Sequence, residues 1–414
     1  MKNPLSILGP GLLVAATGVG AGDLATAGFA GSKLGVSILW AVLAGSFFKY
    51  VLSEGITRWQ LATGQTLLEG AVDHLGRPVQ YLFLGYLVVW SFLVAAALMS
   101  ACGVASHALL PLHSDPATGK IVHGIVWSLI GVLMVRLGGY RLFEKVMRVC
   151  IGLMFCTVVV SAVRLAPDWG DVIAGLVWPA IPESSGQGLG WTLALMGGVG
   201  GTVTILCYGY WIQEEGRRGV KDLKVCRLDL AAAYVVTALF GLAMVIIGSQ
   251  VEVQGGGATL LIRLAERLTD SLGPAGGWAF LLGAWGAIFS SLLGAWQAIP
   301  YLFTDLTSLM GVKGTARRRR VDPDSRIYRG FMYAMATIPM LGLWVGFARM
   351  QKTYAIVGVL FVPMLAAALL RMNGKSGWIG SRYRNRPGTS AVLASILIFF
   401  LLAGYLGVEA AFRR

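Results

Sequence analysis

The sequence predicts an all-α integral membrane protein with two interrupted spans, and three observations carry that reading. The chain is 56% hydrophobic and only 13% charged over 414 residues, and apolar runs of about 20 residues recur along its length. Two of these runs are broken by glycine, at Gly18-Val19-Gly20-Ala21-Gly22-Asp23 near the start and at Gly197-Gly198-Val199-Gly200-Gly201-Thr202 in the middle. Unpaired backbone N–H and C=O groups are costly in a bilayer, so interrupted helices persist only where they line a cavity enclosed by protein. Breaks at matching points of two halves point to a transporter whose substrate site is built on unwound backbone.

Hydropathy places eleven spans at about 6–32 (interrupted), 36–62, 80–108, 121–137, 141–165, 188–214 (interrupted), 228–250, 276–304, 327–348, 352–371 and 388–408. They form a single polytopic domain over 1–414, with no large soluble module between spans. Met1-Lys2-Asn3-Pro4 carries little positive charge, and the run from Leu5 leads into a polar, Gly-rich break instead of a small-residue cleavage site. The first run therefore reads as a retained span and not a signal peptide. Leu67 to Leu75 reads as a short amphipathic helix, and Gly255 to Leu272 as a Gly-led surface helix carrying Arg263, Glu266 and Arg267. Both are expected to be interfacial connectors.

The basic residues fix the expected orientation. The connections after spans four, six, eight and ten carry Arg136, Arg141, Lys145 and Arg148; Arg217, Arg218, Lys221, Lys224 and Arg227; Lys313, Arg317 to Arg320, Arg326 and Arg329; and Arg371, Lys375, Arg382, Arg384 and Arg386. These are most of the 34 lysines and arginines, and the positive-inside rule makes their side cytoplasmic. A cell-membrane protein with its N-terminus inside follows, and an odd span count puts the C-terminus outside.

The same argument disposes of the net charge of +14 as a nucleic-acid signal, because the Arg317 to Arg320 run lies in a connection whose topology already explains it. Contact with anionic lipid is the better secondary reading. The five cysteines (Cys102, Cys150, Cys156, Cys207, Cys226) show no zinc-type spacing and imply no disulfide framework. The four histidines (His74, His107, His113, His123) avoid span centres, which removes the usual intramembrane proton relay. Nothing calls for a cofactor or for covalent chemistry.

Ionisable residues at membrane depth carry the most weight, since each is costly unless it meets a cavity or a partner. Asp23 follows the first break, where its carboxylate can meet a cation beside bared carbonyls; it can equally cap the half-helix that begins with Ala25 and Thr26, and one carboxylate can do both. In the second span Lys49 and Glu54 are coupling or gating candidates, although Glu54 and Arg58, spaced i, i+4, read more simply as a structural ion pair. Asp229 and Asp305 stand near span boundaries and are expected to be wet. After the second break, Gly200 and Gly201 can offer carbonyls, and Thr202, Thr204 and Tyr208 can offer hydroxyls, to a site begun by Gly20, Ala21 and Asp23. Oxygen ligands suit hard cations such as Mg²⁺, and a lone Cys207 sulfur points weakly to a soft one. Ser290 and Ser291 in span eight, near Gln297, are a possible coupling-ion site or a close-packing patch.

Leu8-Gly9-Pro10-Gly11-Leu12-Leu13-Val14-Ala15, the break at Gly20 to Asp23, Leu24-Ala25-Thr26, and Arg58 with Ala62-Thr63-Gly64 resemble the Nramp family of divalent-metal transporters, as do Pro167-Asp168-Trp169-Gly170 more weakly. The resemblance implies a LeuT-type fold of eleven transmembrane helices, with inverted repeats of spans 1–5 (about 6–165) and 6–10 (about 188–371), an extra span at about 388–408, and substrate held between broken spans one and six. It also marks departures. Where the family carries Asp-Pro-Gly-Asn this chain has Gly20-Ala21-Gly22-Asp23, and where it carries Met-Pro-His this chain has Thr204-Ile205-Leu206. The thioether that favours Mn²⁺ and Fe²⁺ is gone. The family's later histidine falls near Trp211, and the third span, Tyr81 to His107, has no carboxylate to pass protons.

The expected function is secondary transport of a small cation by alternating access, a hard divalent cation such as Mg²⁺ ahead of the family's usual Mn²⁺ or Fe²⁺. A small organic or monovalent cation, held by Asp23 with Tyr208, Tyr210 and Trp211, is the alternative within the class. A non-transporting membrane sensor or scaffold is the alternative outside it. The expected partners are the cation and the bilayer, with a monomer slightly favoured.

Overall fold

The structure is a computed structural model that describes residues 11, 21–165, 168–182, 187–252, 257, 259–310 and 321–412. Helix α1 (Ala21–Leu34) passes through a 3-10 turn, Gly35–Ile38, into α2 (Leu39–Thr63). Gly64, at φ 71°, ends α2 because its N–H can then turn back to the Gln60 carbonyl at 2.9 Å. The connector α3 (Leu67–Leu75) opens on a reciprocal cap: Thr66 Oγ1 accepts from Glu69 N, and Glu69 Oε2 accepts from Thr66 N. Its bounds are those read from the sequence.

Next come α4 (Arg77–Leu109) and α5 (Pro116–Arg164), the latter capped by Asp115, which accepts from Ala117 N and Thr118 N. At 49 residues α5 is about 70 Å long, more than twice a hydrocarbon core of about 30 Å. It holds predicted spans four and five together with the connection expected between them, which is helical instead of a loop. No proline interrupts that stretch, and Gly138 and Gly139 each cost a helix only about 1 kcal/mol.

The second half runs through α6 (Trp169–Val177), α7 (Gln187–Gly198), α8 (Cys207–Glu214), α9 (Gly219–Ser249), α10 (Leu260–Leu272) and α11 (Pro274–Ser308). It closes with α12 (Arg326–Thr337), α13 (Phe347–Val359), α14 (Phe361–Met372), the single turn α15 (Ser376–Ile379) and α16 (Pro387–Phe412). Predicted span nine changes from α12 to a 3-10 stretch, Ile338–Trp344, at Pro339. Predicted span ten splits at Leu360, where Pro363 has no N–H to offer the Val359 carbonyl. The surface helix expected from Gly255 begins at Leu260; residues 253–256 lie outside the described ones, as does the Arg317 to Arg320 run.

Among the described residues, eight helices are long and apolar enough to cross a membrane by length and composition. Helices α7 and α9 each pack on both α1 and α2, with α13 against α7, while α4, α5 and α11 form a second group. Trp59, Trp90, Trp296 and Phe29 fill the interior. Leu129, Leu133, Leu401 and Leu402 stay exposed on α5 and α16, as side chains facing lipid do.

Candidate functional site

The site is built where α7 stops. After Gly198 the backbone unwinds through Val199 to Thr202, with Gly200 at φ 76° and Gly201 at φ 82°, and resumes as a 3-10 turn, Val203–Leu206, before α8. Residues other than glycine pay about 1–2 kcal/mol for that left-handed backbone, so the paired glycines are what allow the break. At Gly200 a side chain is excluded twice, because a Cβ there would lie 2.8 Å from the Tyr234 ring. The interruption expected in span six is present.

Its counterpart in span one is only partly described. Gly20 lies outside the described residues, and Ala21 and Gly22, expected to be unwound, belong to the first turn of α1. The helix starts early because Asp23 sits in that first turn, where a carboxylate favours the positive helix end. Asp23 is fully buried, and its Oδ2 accepts from the Gly200 N–H at 3.2 Å. This bond brings the start of α1 to the break of span six, across the two halves of the chain.

Unwinding bares carbonyls, and Lys49 collects them. Its ammonium, fully buried near the middle of α2, donates to the carbonyls of Gly197 at 2.8 Å, Val199 at 3.2 Å and Gly201. It makes no direct ion pair with Asp23, although each feels the other's charge. The neighbourhood keeps spare polar atoms: Asp23 Oδ1, Thr26 Oγ1, Ser46 Oγ and Thr237 Oγ1 are buried with no hydrogen-bond partner among the described residues. Tyr354 shares a hydrogen bond with Thr202, and Ser53 with Tyr234. One buried carboxylate, one buried ammonium and a cage of carbonyls thus meet at one unwound turn. Among the described residues no group of three or more His, Cys, Asp or Glu converges to hold a metal ion, hard or soft.

The remaining candidates disperse. Thr204 is buried in the 3-10 turn directly after the break. Tyr208 turns its hydroxyl away, toward Asp229 Oδ2 at 3.0 Å and the Cys226 carbonyl at 3.3 Å. Ser290 donates to the Ala287 carbonyl of its own helix at 2.7 Å, and Ser291 is buried beside it. Glu54 pairs with Arg58 as expected, through Oε2 at 2.8 Å, and also takes Arg227 on Oε1 at 2.7 Å.

Asp229 and Asp305, expected to be wet, are buried at 1% and 4% exposure. Other segments fold over both. Asp229 Oδ2 accepts from Gly11 N at 2.9 Å and from Arg217 Nη1 at 3.2 Å as well as from Tyr208, so it fastens Gly11 to the connection after span six. A Cβ at Gly11 would collide with the Asp229 carboxylate, which explains the glycine after Gly9-Pro10. Asp305 Oδ2 accepts from Thr66 Oγ1 at 3.1 Å and from the Tyr210 hydroxyl. Asp305 faces a cavity of about 460 Å³ with Gln60, Glu69, Tyr210 and Arg217 on its wall; Asp23 is not on it. Burial raises the Glu69 carboxyl there above its ordinary range, the Thr66 backbone bond opposes this, and the Asp305 charge adds to it. Sequence position alone missed both aspartates, since a span end is wet only if nothing folds over it.

Fold and site together define a polytopic α-helical membrane protein of the LeuT type, organised around an interrupted helix. Solved structures share its shape: that of an Eremococcus coleocola manganese transporter, in complex with an aromatic bis-isothiourea substituted compound, matches at a TM-score of 0.72 and 16% identity over 97% of this chain and 86% of that one. The structure of MhsT in complex with L-phenylalanine matches at 0.64 and 14% identity over 98% of each. The chain belongs to the Nramp family (natural resistance-associated macrophage protein-like), which it matches over residues 11–409. Members of that family are secondary transporters and not enzymes. Among curated proteins it is similar to the divalent metal cation transporter MntH of Chromohalobacter salexigens, 26% identical over 59% of this chain and 57% of that protein. The MntH of Klebsiella pneumoniae is 25% identical over 59% and 58%. The chain thus spans under three-fifths of the length of these relatives.

Proposed function

We propose that this chain is a secondary transporter that moves a divalent cation across the cell membrane by alternating access, with Asp23 as the residue that carries the substrate's counter-charge. One observation carries the reading: Asp23 is fully buried, one oxygen is anchored on Gly200 N, and the other has no partner among the described residues, beside the bared carbonyls of the break. A buried carboxylate with an unused oxygen is costly unless a cation completes it. The relatives named as divalent metal cation transporters support the charge of the substrate.

The donor set supports a hard ion, Mg²⁺, ahead of Mn²⁺. Asp23 and the bared carbonyls at the break, those of Val199 and Gly201, offer oxygen only, and the turn Thr204-Ile205-Leu206 supplies neither thioether nor imidazole. With so few protein ligands, the ion keeps part of its water shell. A small organic cation is supported less, because the tyrosines beside Asp23 are Tyr234 and Tyr354, while Tyr208 and Tyr210 are tied to Asp229 and Asp305. The basic connections support an N-terminus on the cytoplasmic side.

The test is uptake by the purified protein in liposomes. Wild type is expected to accumulate Mg²⁺ and to leave Mn²⁺ largely outside, and Asp23→Asn to abolish Mg²⁺ uptake while remaining folded, because Asn keeps shape and capping but removes the charge. Wild-type uptake by Asp23→Asn would leave the cation without its counter-charge and sink the reading. Low-micromolar Mn²⁺ uptake would overturn the preference for Mg²⁺.

A further inference from the structure

We propose that Lys49 is a tethered stand-in for the transported cation: its ammonium occupies the carbonyl cage of the span-six break, and a cation binds by displacing it. This rests on the cation-transport reading above and adds what that reading lacks, an account of why a cation site already contains a cation.

An ammonium has three N–H donors and no acceptor, and here three carbonyls, of Gly197, Val199 and Gly201, use them. Val199 and Gly201 stand in the unwound turn and Gly197 in the last turn of α7 that leads into it, so these are the carbonyls that the break offers a hard cation. Were Lys49 an ordinary structural ion-pair partner, it would sit on Asp23, the buried carboxylate nearest in charge. It does not; Asp23 binds Gly200 N and keeps Oδ1 open. A lysine fully buried mid-helix in a membrane protein is expensive, and the carbonyls alone could have been satisfied by an uncharged donor.

In the empty carrier the charges of Asp23 and Lys49 cancel across the break, so the unloaded site can cross the membrane without a co-ion. An incoming ion must outcompete an ammonium for the same oxygens, which a divalent ion can do by charge and a monovalent ion of equal charge cannot. This makes Lys49 the discriminator between divalent and monovalent substrates. The long stem gives the displaced ammonium somewhere to go: Ser46 Oγ, one turn before it, is without a partner, and the Ser53–Tyr234 hydroxyl pair lies one turn after it.

The experiment measures Mg²⁺ and K⁺ binding calorimetrically on the full chain in nanodiscs, for wild type, Lys49→Met and Lys49→Gln, together with uptake and exchange in liposomes. Both neutral variants are expected to bind Mg²⁺ about tenfold tighter or more and to gain K⁺ binding that wild type lacks, while losing net uptake and keeping Mg²⁺/Mg²⁺ exchange, because the empty site now carries an uncompensated carboxylate. Folded variants that bind Mg²⁺ no better than a binding-competent wild type overturn the role of Lys49 and leave the cation reading standing. Absence of Mg²⁺ binding in all three proteins defeats the cation reading itself, and this proposal with it. If neither variant folds, the wild type decides: the side-chain nitrogen resonance of Lys49, read by NMR on protein labelled with nitrogen-15 lysine, shifts with saturating Mg²⁺ if the ammonium leaves the carbonyls. An unchanged resonance under Mg²⁺ that calorimetry shows to be bound marks a fixed pin and overturns the proposal.

Discussion

At the scale of single residues, Asp229 shows how much one buried oxygen can organise. Its Oδ2 receives Gly11 N, the Tyr208 hydroxyl and Arg217 Nη1, so three separate segments converge on one charge. Removing that charge takes from Arg217 Nη1 its carboxylate partner, and the Arg217 side chain is only 9% exposed. Breaking such a buried pair from one side costs about 3–5 kcal/mol, whereas an amide that still accepts a hydrogen bond recovers part of the loss. Thermal unfolding in detergent is expected to rank wild type above Asp229→Asn and Asp229→Asn above Asp229→Ala; equal melting of all three would show that the convergence contributes nothing. Asp23 was legible in the sequence because a carboxylate next to a glycine break has few uses. Asp229 was not, since its partners come from positions 11, 208 and 217, which no local pattern connects.

At the scale of elements, the break in span six depends on which glycine stands where, and here the sequence said much. Four glycines in Gly197-Gly198-Val199-Gly200-Gly201 marked the interruption, but their roles differ in ways that only packing reveals. Gly198 ends α7 with open space around a would-be Cβ, while Gly200 combines φ 76° with a Tyr234 ring 2.8 Å from that position. Gly198→Ala is therefore expected to be neutral or to stabilise by up to about 1 kcal/mol, by lowering unfolded-state entropy. Gly200→Ala pays about 1–2 kcal/mol for the backbone and more for the ring contact, and moves the N–H that holds Asp23. The check is melting temperature and Mg²⁺ uptake for both variants; equal effects would mean that the turn is not held as described. The α5 connection was misread for the complementary reason: two glycines and a basic cluster look like a loop, yet nothing there interrupts the helical bonding.

At the scale of the whole molecule, the proposed alternating access needs groups of helices that move as bodies, and Glu54 ties several elements to one another. Its Oε2 takes Arg58 Nε at 2.8 Å, and its Oε1 takes Arg227 of α9 at 2.7 Å. Arg58 continues to the Tyr383 carbonyl and Asn385 Oδ1, Asn385 donates to the Leu369 carbonyl, and Asn373 donates to the Gly55 carbonyl. One node thereby fastens α2, α9, α14 and the segment leading into α16. The Glu54 and Arg58 spacing announced half of it; Arg227, Tyr383 and Asn385 are too far along the chain to be read from spacing. The two arginines are not equivalent, because the Arg58 side chain is 5% exposed and that of Arg227 43%. Arg227→Ala removes a pair that water already screens and should cost about 0–1 kcal/mol. Glu54→Ala leaves the buried Arg58 without its counter-charge and should cost about 3–5 kcal/mol, with Glu54→Gln between the two. Unfolding midpoints that place Arg227→Ala level with Glu54→Ala would mean that the outer half of the node carries the tie, and that α2 is fastened to α9 more firmly than to the segment before α16.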